Sequence, residues 1–435
     1  MSQEVMRMLL QFRFYNFRSF KGDAVLDMRA SGSNEYEYHV RMDGADKVLP
    51  VAAVYGANAS GKSNVYKAFF KMCQYIATSF VLDDRSVQDA NNGVIRRFLS
   101  YYPYDPFLFP QDRKTEMEVC FTAVAAGRVQ YFKYGFALDE DGVREEWLGQ
   151  NFKTRIVKGQ PFHMLFERKR GGELSLDKDL EKYRENLELS LQKRVLILSL
   201  GAKLNIQELL PVYEWFYTQG FVSDHEDPDD TDESRLGRSI RKDTKFTKEL
   251  LSFIHSFDDS IVDLEARKDL AASSMGLDAY RIFTAHRNFD GAVKWMPLTE
   301  ESSGTIQMFF LFQRLQDCLA RGNVLFADEL DGKLHPLLMR NMILNFTDPE
   351  RNPHHAQLIF TTHNTEYLDM NLLRRDEIWF TEKKDGVSDL FSLDDVQDAA
   401  GHKIRKDCNY AKNYLLGKYG AIPAMRELMG ENHHE

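Results

Sequence analysis

The stretch Val48-Leu49-Pro50-Val51-Ala52-Ala53-Val54-Tyr55-Gly56-Ala57-Asn58-Ala59-Ser60-Gly61-Lys62-Ser63 decides the fold. Its first half is a nearly unbroken apolar run, the pattern of a strand covered on both faces. Its second half, Gly56 to Ser63, satisfies G-x-x-x-x-G-K-[ST]. In such a loop the glycines let successive backbone N–H groups turn toward phosphate oxygens, the lysine brings charge to the β and γ phosphates, and the hydroxyl is offered to Mg²⁺. Beyond it Val65, Phe69, Cys73, Ile76 and Phe80 recur at spacings of four and three, so a helix with one apolar side follows. Strand, glycine loop and helix in that order make Gly56, Asn58, Ala59, Ser60, Gly61, Lys62, Ser63 and Asn64 the candidate triphosphate cradle. Lys62 is also a candidate catalytic residue and Ser63 a candidate metal ligand.

Three later stretches carry chemistry that a triphosphate site needs. Val324-Leu325-Phe326-Ala327 reads as a buried strand ending in Asp328-Glu329. A carboxylate there can hold the shell of a Mg²⁺ ion and the next can polarise an attacking water, so Asp328 is assigned to the metal and Glu329 to the general base. Glu301-Ser302-Ser303-Gly304-Thr305 opens a helix. Its free N–H groups and hydroxyls suit an anion, and equally a plain N-cap. Ser302, Ser303 and Gly304 are therefore either a second phosphate-seeking tip, reaching across a dimer, or a capping turn. Phe360-Thr361-Thr362-His363 ends another apolar strand; His363 is placed either in an ordinary polar loop or beside the γ-phosphate. Leu334-His335-Pro336 leaves the same choice, between a first helical proline and a contact with a second subunit.

From Thr305 onward buried strands alternate with helices, which implies a parallel sheet covered on both faces. Residues 8 to 30 read as two strands around Asn16-Phe17-Arg18-Ser19-Phe20, and Thr115 to Ala137 as a hairpin turning at Ala126-Gly127. The expected organisation is an N-terminal lobe over 1–149, a mostly helical insertion over 150–258, and a C-terminal lobe over 259–435. Strands are expected near Ile261–Ala266, Ala279–Ala285 and Gly291–Leu298. The acidic tract Asp224 to Glu233 reads as a loop, because so many like charges cannot bury themselves. Arg235, Arg238, Arg241, Lys242, Lys245 and Lys248 follow it as a basic helix face, either solvated or a surface for nucleic acid or a partner protein.

Composition narrows the class. The chain of 435 residues carries a net charge of -10, which argues against coating nucleic acid by bulk electrostatics. No run of 18 apolar residues occurs, so neither a membrane span nor a secretory signal is expected. Cys73, Cys120, Cys318 and Cys408 are far apart and read as reduced thiols of a cytoplasmic protein.

Taken together these residues resemble the ABC-type ATPases of the RecF/SMC/OLD-nuclease group, and more closely the bacterial RloA-like branch, to which the ATPase of the PARIS defence system is related. The resemblance spans residues 8 to 90 and 280 to 425. Its most particular parts are Leu372-Leu373-Arg374-Arg375-Asp376-Glu377-Ile378-Trp379-Phe380 and Lys418-Tyr419-Gly420-Ala421-Ile422-Pro423. It implies an α/β P-loop head that dimerises head to head with two ATP molecules and Mg²⁺ at the interface, Ser302 to Thr305 of one copy facing Lys62 of the other. It also implies a separate effector, often a Toprim-type nuclease, in an anti-phage locus. About 70 residues follow His363, too few for a Toprim domain, so such a nuclease is expected as a second polypeptide. Gln111 is the candidate for the glutamine that senses Mg²⁺ in these folds. The competing expectations are a RecF-like clamp on duplex DNA, supported locally by the basic face alone, and an ATP-bound scaffold with negligible turnover, which the presence of Glu329 disfavours.

Overall fold

Val51–Tyr55 is a strand whose five side chains are all buried, and a strand lies hydrogen-bonded on each side of it. A computed structural model describes residues 7–43, 46–82, 93–109, 113–151, 161–223, 230–274, 277–330, 334–398, 401–405 and 408–422. The chain divides into two compact units, one formed by Met1–Gln219 with Gly322–Glu435, the other by Gly220–Arg321.

The first unit holds two large sheets. In one, strands run in the order Val324–Asp328, Gln357–Thr362, Val51–Tyr55, Ile378–Lys384, Val387–Ser392; all neighbours are parallel except the last pair, a hairpin. The four parallel strands are apolar runs, as burial on both faces requires. The other sheet is antiparallel and seven-stranded, in the order Ser175–Leu176, His163–Lys169, Gly142–Asn151, Arg128–Asp139, Thr115–Ala125, Leu9–Phe17, Phe20–Asp27. The expected hairpins around Asn16–Phe20 and Ala126–Gly127 are both part of it. Strand His163–Lys169 lies in the stretch read from sequence as mostly helical, and it accompanies the helices Arg184–Ser190, Ile197–Lys203 and Leu210–Tyr217.

Helix Lys62–Thr78 contacts both sheets. Its Phe69 meets Phe12 of the antiparallel sheet at 5.1 Å between ring centroids and Phe326 of the parallel sheet at 6.0 Å. The buried Gln357 side chain ties the two sheets by accepting the Leu9 N–H at 2.6 Å and donating to the Leu9 and Leu49 carbonyls at 3.0 Å each. A buried amide is stable there because its oxygen and its nitrogen both have partners.

The second unit contains a three-stranded antiparallel sheet, Ile261–Ser274, Leu277–Arg287 and Val293–Pro297. Helix Asp230–Lys242 packs on it. Helix Thr244–Ile254, capped by the Asp243 carboxylate, packs through Phe246 and Phe253 on Phe312 of helix Ser303–Arg321. The acidic tract corrects one expectation. Asp224 to Asp229 lie outside the described residues, but the tract's last residues are helical and paired. Asp232 meets Arg314 at 3.2 Å, and the buried Glu233 accepts from Arg281 at 2.8 Å and from the Ile282 N–H at 2.9 Å. Carboxylates favour a helix N-terminus, and the partners that neutralise these two come from far along the chain, where no local pattern announces them. No helix among the described residues is long and apolar enough to cross a membrane. The four cysteines are free thiols, Cys73 and Cys318 buried.

Candidate functional site

The parallel strands end side by side. Their register places Tyr55 opposite Thr362, and Ala327 opposite Phe360, so the residues that leave these strands converge at the C-terminal edge of the sheet, where ligands of such sheets bind. Gly56 to Gly61 turn from the first strand into helix Lys62–Thr78. Gly61, at φ 119°, is the N-cap, and no side chain caps the helix, so the N–H groups at this end are offered outward along with the positive end of the helix dipole. Ala59 is held at φ 64°, unusual for a residue with a Cβ.

Lys62 is buried, and its Nζ donates to the carbonyls of Gly56 at 2.9 Å and Ala57 at 3.1 Å while lying 3.8 Å from Glu329 Oε1. Asp328 is buried too. It accepts the Thr361 hydroxyl at 2.6 Å and is also hydrogen-bonded by the Ser63 hydroxyl. Burial raises the Asp328 carboxyl above its ordinary pKa; the Thr361 and Ser63 hydroxyls oppose the shift, and the Glu329 carboxylate adds to it. Glu329 is at φ 52° with its N–H on the Thr361 oxygen at 3.0 Å and its carboxylate partly exposed. Lys62, Ser63, Asp328 and Glu329, read from two separate motifs, thus occupy one cluster.

That cluster fits a magnesium-bound triphosphate. Among the described residues no three His, Cys, Asp or Glu side chains gather as a metal cage. Mg²⁺, however, favours one or two protein oxygens with phosphates and water, and Ser63 with Asp328 is such a pair. Glu329 beside it, at φ 52° and one third exposed (33%), is a carboxylate that can accept a proton.

Ser60 and Asn64 serve the scaffold with their side chains and offer the triphosphate their backbone. The buried Ser60 hydroxyl bonds Thr381 Oγ1 at 2.6 Å, and the Ser60 carbonyl accepts from Ser388 at 2.6 Å. Asn64 donates to Ser19 at 2.8 Å. Asn58 and His363 are exposed, His363 just past strand Gln357–Thr362. His335 caps helix Pro336–Thr347 by accepting the Leu337 N–H at 3.3 Å, and Pro336 is the first residue of that helix. Gln111 lies outside the described residues.

Ser302, Ser303 and Gly304 belong to the second unit. Ser302 Oγ accepts the Thr305 N–H at 3.1 Å, capping helix Ser303–Arg321. Ser302 and Ser303 are exposed, and a Cβ on Gly304 would meet nothing nearer than Ser302 Oγ at 3.8 Å. Glu301 anchors the turn by accepting from Thr284 at 2.5 Å and His286 Nε2 at 2.7 Å. In the basic face, Arg238 donates to the Asp278 carbonyl, and Arg241 to the Ala266 carbonyl while lying over the Tyr280 ring.

Thr361 and Glu301 stand in stretches singled out from the sequence, but neither is given a role of its own there. Each acts on its site through a hydrogen bond to a residue remote in sequence or on another element, which leaves no periodic or compositional trace.

A family model described as "AAA domain, putative AbiEii toxin, Type IV TA system" matches residues 51–369. Among solved structures, the SMC head domain from Thermotoga maritima is similar with 14% identity over 88% of this chain and 98% of that chain, at a TM-score of 0.37. The SmcHead bound to the C-winged helix domain of ScpA is similar with 12% identity over 88% of this chain and 97% of that chain, at a TM-score of 0.41. No curated protein matches the sequence.

Proposed function

Because the chain belongs to the AAA-domain family matched over residues 51–369, we propose that it is an ABC-type ATPase that binds ATP with Mg²⁺ at the interface of two copies of itself. The observation that carries this reading is the convergence of Lys62, Ser63, Asp328 and Glu329, with Glu329 Oε1 3.8 Å from Lys62 Nζ and Thr361 joining Asp328 to Glu329.

The loop N–H groups and the Lys62 ammonium would hold the β and γ phosphates, giving up the carbonyl contacts of Gly56 and Ala57. Ser63 and Asp328 would hold the ion, whose chemistry is neutralisation of charge that builds on the phosphate oxygens. Glu329, partly exposed and 3.8 Å from Lys62 Nζ, would orient the attacking water and take its proton. His363 would donate to the γ-phosphate from the neighbouring strand end. Ser302, Ser303 and Gly304 would complete the pocket of a second copy. The open surroundings of Gly304 support this, since among the described residues nothing lies nearer to a Cβ there than Ser302 Oγ at 3.8 Å.

On the resemblance of Leu372–Phe380 and Lys418–Pro423 to the RloA-like branch, the ATPase regulates or scaffolds a separate nuclease in bacterial anti-phage defence, in the cytoplasm. Steady-state turnover and nucleotide binding test the core of the proposal. Glu329→Gln lowers kcat by about 100-fold or more with ATP still bound, the range expected for loss of a general base, whereas Lys62→Ala loses ATP binding. Wild-type turnover by Glu329→Gln overturns the assignment of the base. Co-purification of the neighbouring gene product with the wild-type chain tests the effector.

A further inference from the structure

The segment Gly417–Ile422 has no part in the chemistry proposed above, yet it lies against the phosphate loop. The Ala421 carbonyl accepts the N–H of Ala57, the loop's second residue, at 3.2 Å, and also the Tyr414 hydroxyl at 3.0 Å. The Ala421 N–H donates to Glu382 Oε1 at 3.1 Å. Ala421 is buried and held at φ 57°, a conformation that a residue with a Cβ keeps only where its surroundings fix it. Gly420, at φ 72°, leads into it, and a Cβ there would lie 2.8 Å from Glu382 Oε1. Tyr414 stacks on Phe380 at 5.5 Å and reaches the ring of Tyr55, the residue before Gly56, at 6.5 Å.

Ala57 is the point from which the loop is organised. Its carbonyl accepts both the Ser60 N–H at 3.1 Å and the Lys62 ammonium at 3.1 Å. Gripping its N–H therefore orients the peptide on which the loop's turn and its lysine are set. Ser60 is held separately, by Thr381 and Ser388. Resting on the reading of Gly56–Ser63 as the triphosphate cradle, we infer that the turn Gly417–Ile422 is a positioning element for that cradle, with Ala421 fixing the loop at Ala57. A loop already ordered loses less freedom when the triphosphate arrives, so the turn acts on ATP affinity without touching the nucleotide.

Three substitutions in the full chain test it, read by titration of a fluorescent ATP analogue with Mg²⁺ and by hydrogen exchange of the 56–61 peptide. Ala421→Pro removes the N–H donated to Glu382 and cannot adopt φ 57°, because proline holds φ near -65°. Tyr414→Phe deletes one hydroxyl. Ala421→Gly keeps both backbone groups and accepts a positive φ. Ala421→Pro weakens binding by about 10-fold or more, Tyr414→Phe by about 2- to 5-fold, the worth of one hydrogen bond, and Ala421→Gly by less than about 2-fold. Exchange of the loop amides rises in the same order. Lys62→Ala separates the two levels of the argument. If it loses binding while Ala421→Pro and Tyr414→Phe bind and exchange as wild type, the positioning role is overturned and the cradle stands. If Lys62→Ala binds as wild type, the cradle is wrong and the inference falls with it. Should Ala421→Pro not fold, Tyr414→Phe decides, since a wild-type affinity and exchange rate there also overturn the role.

Discussion

The Thr361 hydroxyl serves two neighbours at once, donating to Asp328 and accepting the N–H of Glu329. Removing it leaves a buried carboxylate short of one partner and an amide without its acceptor, each a penalty of about 1–3 kcal/mol. Thr361→Val is therefore expected to lower kcat by roughly 10- to 100-fold while the KM for ATP changes little. Thr361→Ser restores turnover, which a purely volumetric role for the methyl would not allow. Asp328 makes a second case. A carboxyl whose pKa folding raises adds stability in acid and loses it as pH rises through the raised value, so at neutral pH its ionised, buried form costs the fold stability. Asp328→Asn is expected to raise the melting temperature of the nucleotide-free protein by about 1 °C for each 1 kcal/mol relieved. The same variant loses the further rise that ATP with Mg²⁺ gives the wild type. Calorimetry with and without both ligands checks the two halves. Lys62, Ser63, Asp328 and Glu329 were legible because a loop of fixed spacing and a carboxylate pair at a strand end have sequence signatures. Thr361 was not, because a threonine in an apolar strand looks like any β-branched residue.

Among the elements, the short turn Arg375–Glu377 and its flanking residues explain much of the segment Leu372–Phe380. The Arg374 guanidinium, fully buried, meets Asp376 at 2.7 Å and 2.8 Å and bonds the carbonyls of Glu35 and Ser33; Asp376 also accepts the Ser31 N–H at 2.8 Å. Glu377 holds His39 Nδ1 at 3.0 Å. One turn thus pins residues 31–39 to the end of strand Ile378–Lys384. Arg374→Ala leaves Asp376 charged and unpaired in the interior and is expected to cost about 3–5 kcal/mol. Burial pushes the Asp376 carboxyl up, but Arg374 and Ser31 pull harder, and the net pKa is lowered. Its stabilisation is therefore complete above the ordinary aspartate value of about 4 and is lost as pH falls through the lowered one. Urea unfolding over a falling pH series is expected to show wild type well above Asp376→Asn at pH 7, with the gap narrowing as pH drops below about 4. Strands and helices with one clean period were readable along the chain. His163–Lys169 was not, since Met164, Leu165 and Phe166 form an apolar run too short to separate strand from helix. Element identity there comes from the neighbouring strand Gly142–Asn151.

For the whole molecule, the α/β architecture followed from buried strands alternating with helices, while the assembly is the part that a single chain does not contain. The pocket proposed to be shared between two copies makes a definite expectation for mixed copies. Lys62→Ala and Gly304→Arg should each be inactive alone. In an equimolar mixture half the dimers pair unlike copies, and one of their two pockets is intact, so up to about a quarter of wild-type turnover returns. A mixture as inactive as its components removes the shared pocket. Turnover per chain should likewise fall on dilution below the dimer's dissociation constant. One further consequence lies in the order of the parallel sheet, where Val51–Tyr55 sits between Gln357–Thr362 and Ile378–Lys384. The strand bearing the loop leaves the ribosome early and finds neither lateral neighbour until about 300 more residues have been translated, roughly 15–60 s at bacterial and eukaryotic elongation rates. Throughout that interval a wholly apolar pentapeptide must be sheltered, so production of this protein should depend on chaperones that hold nascent chains.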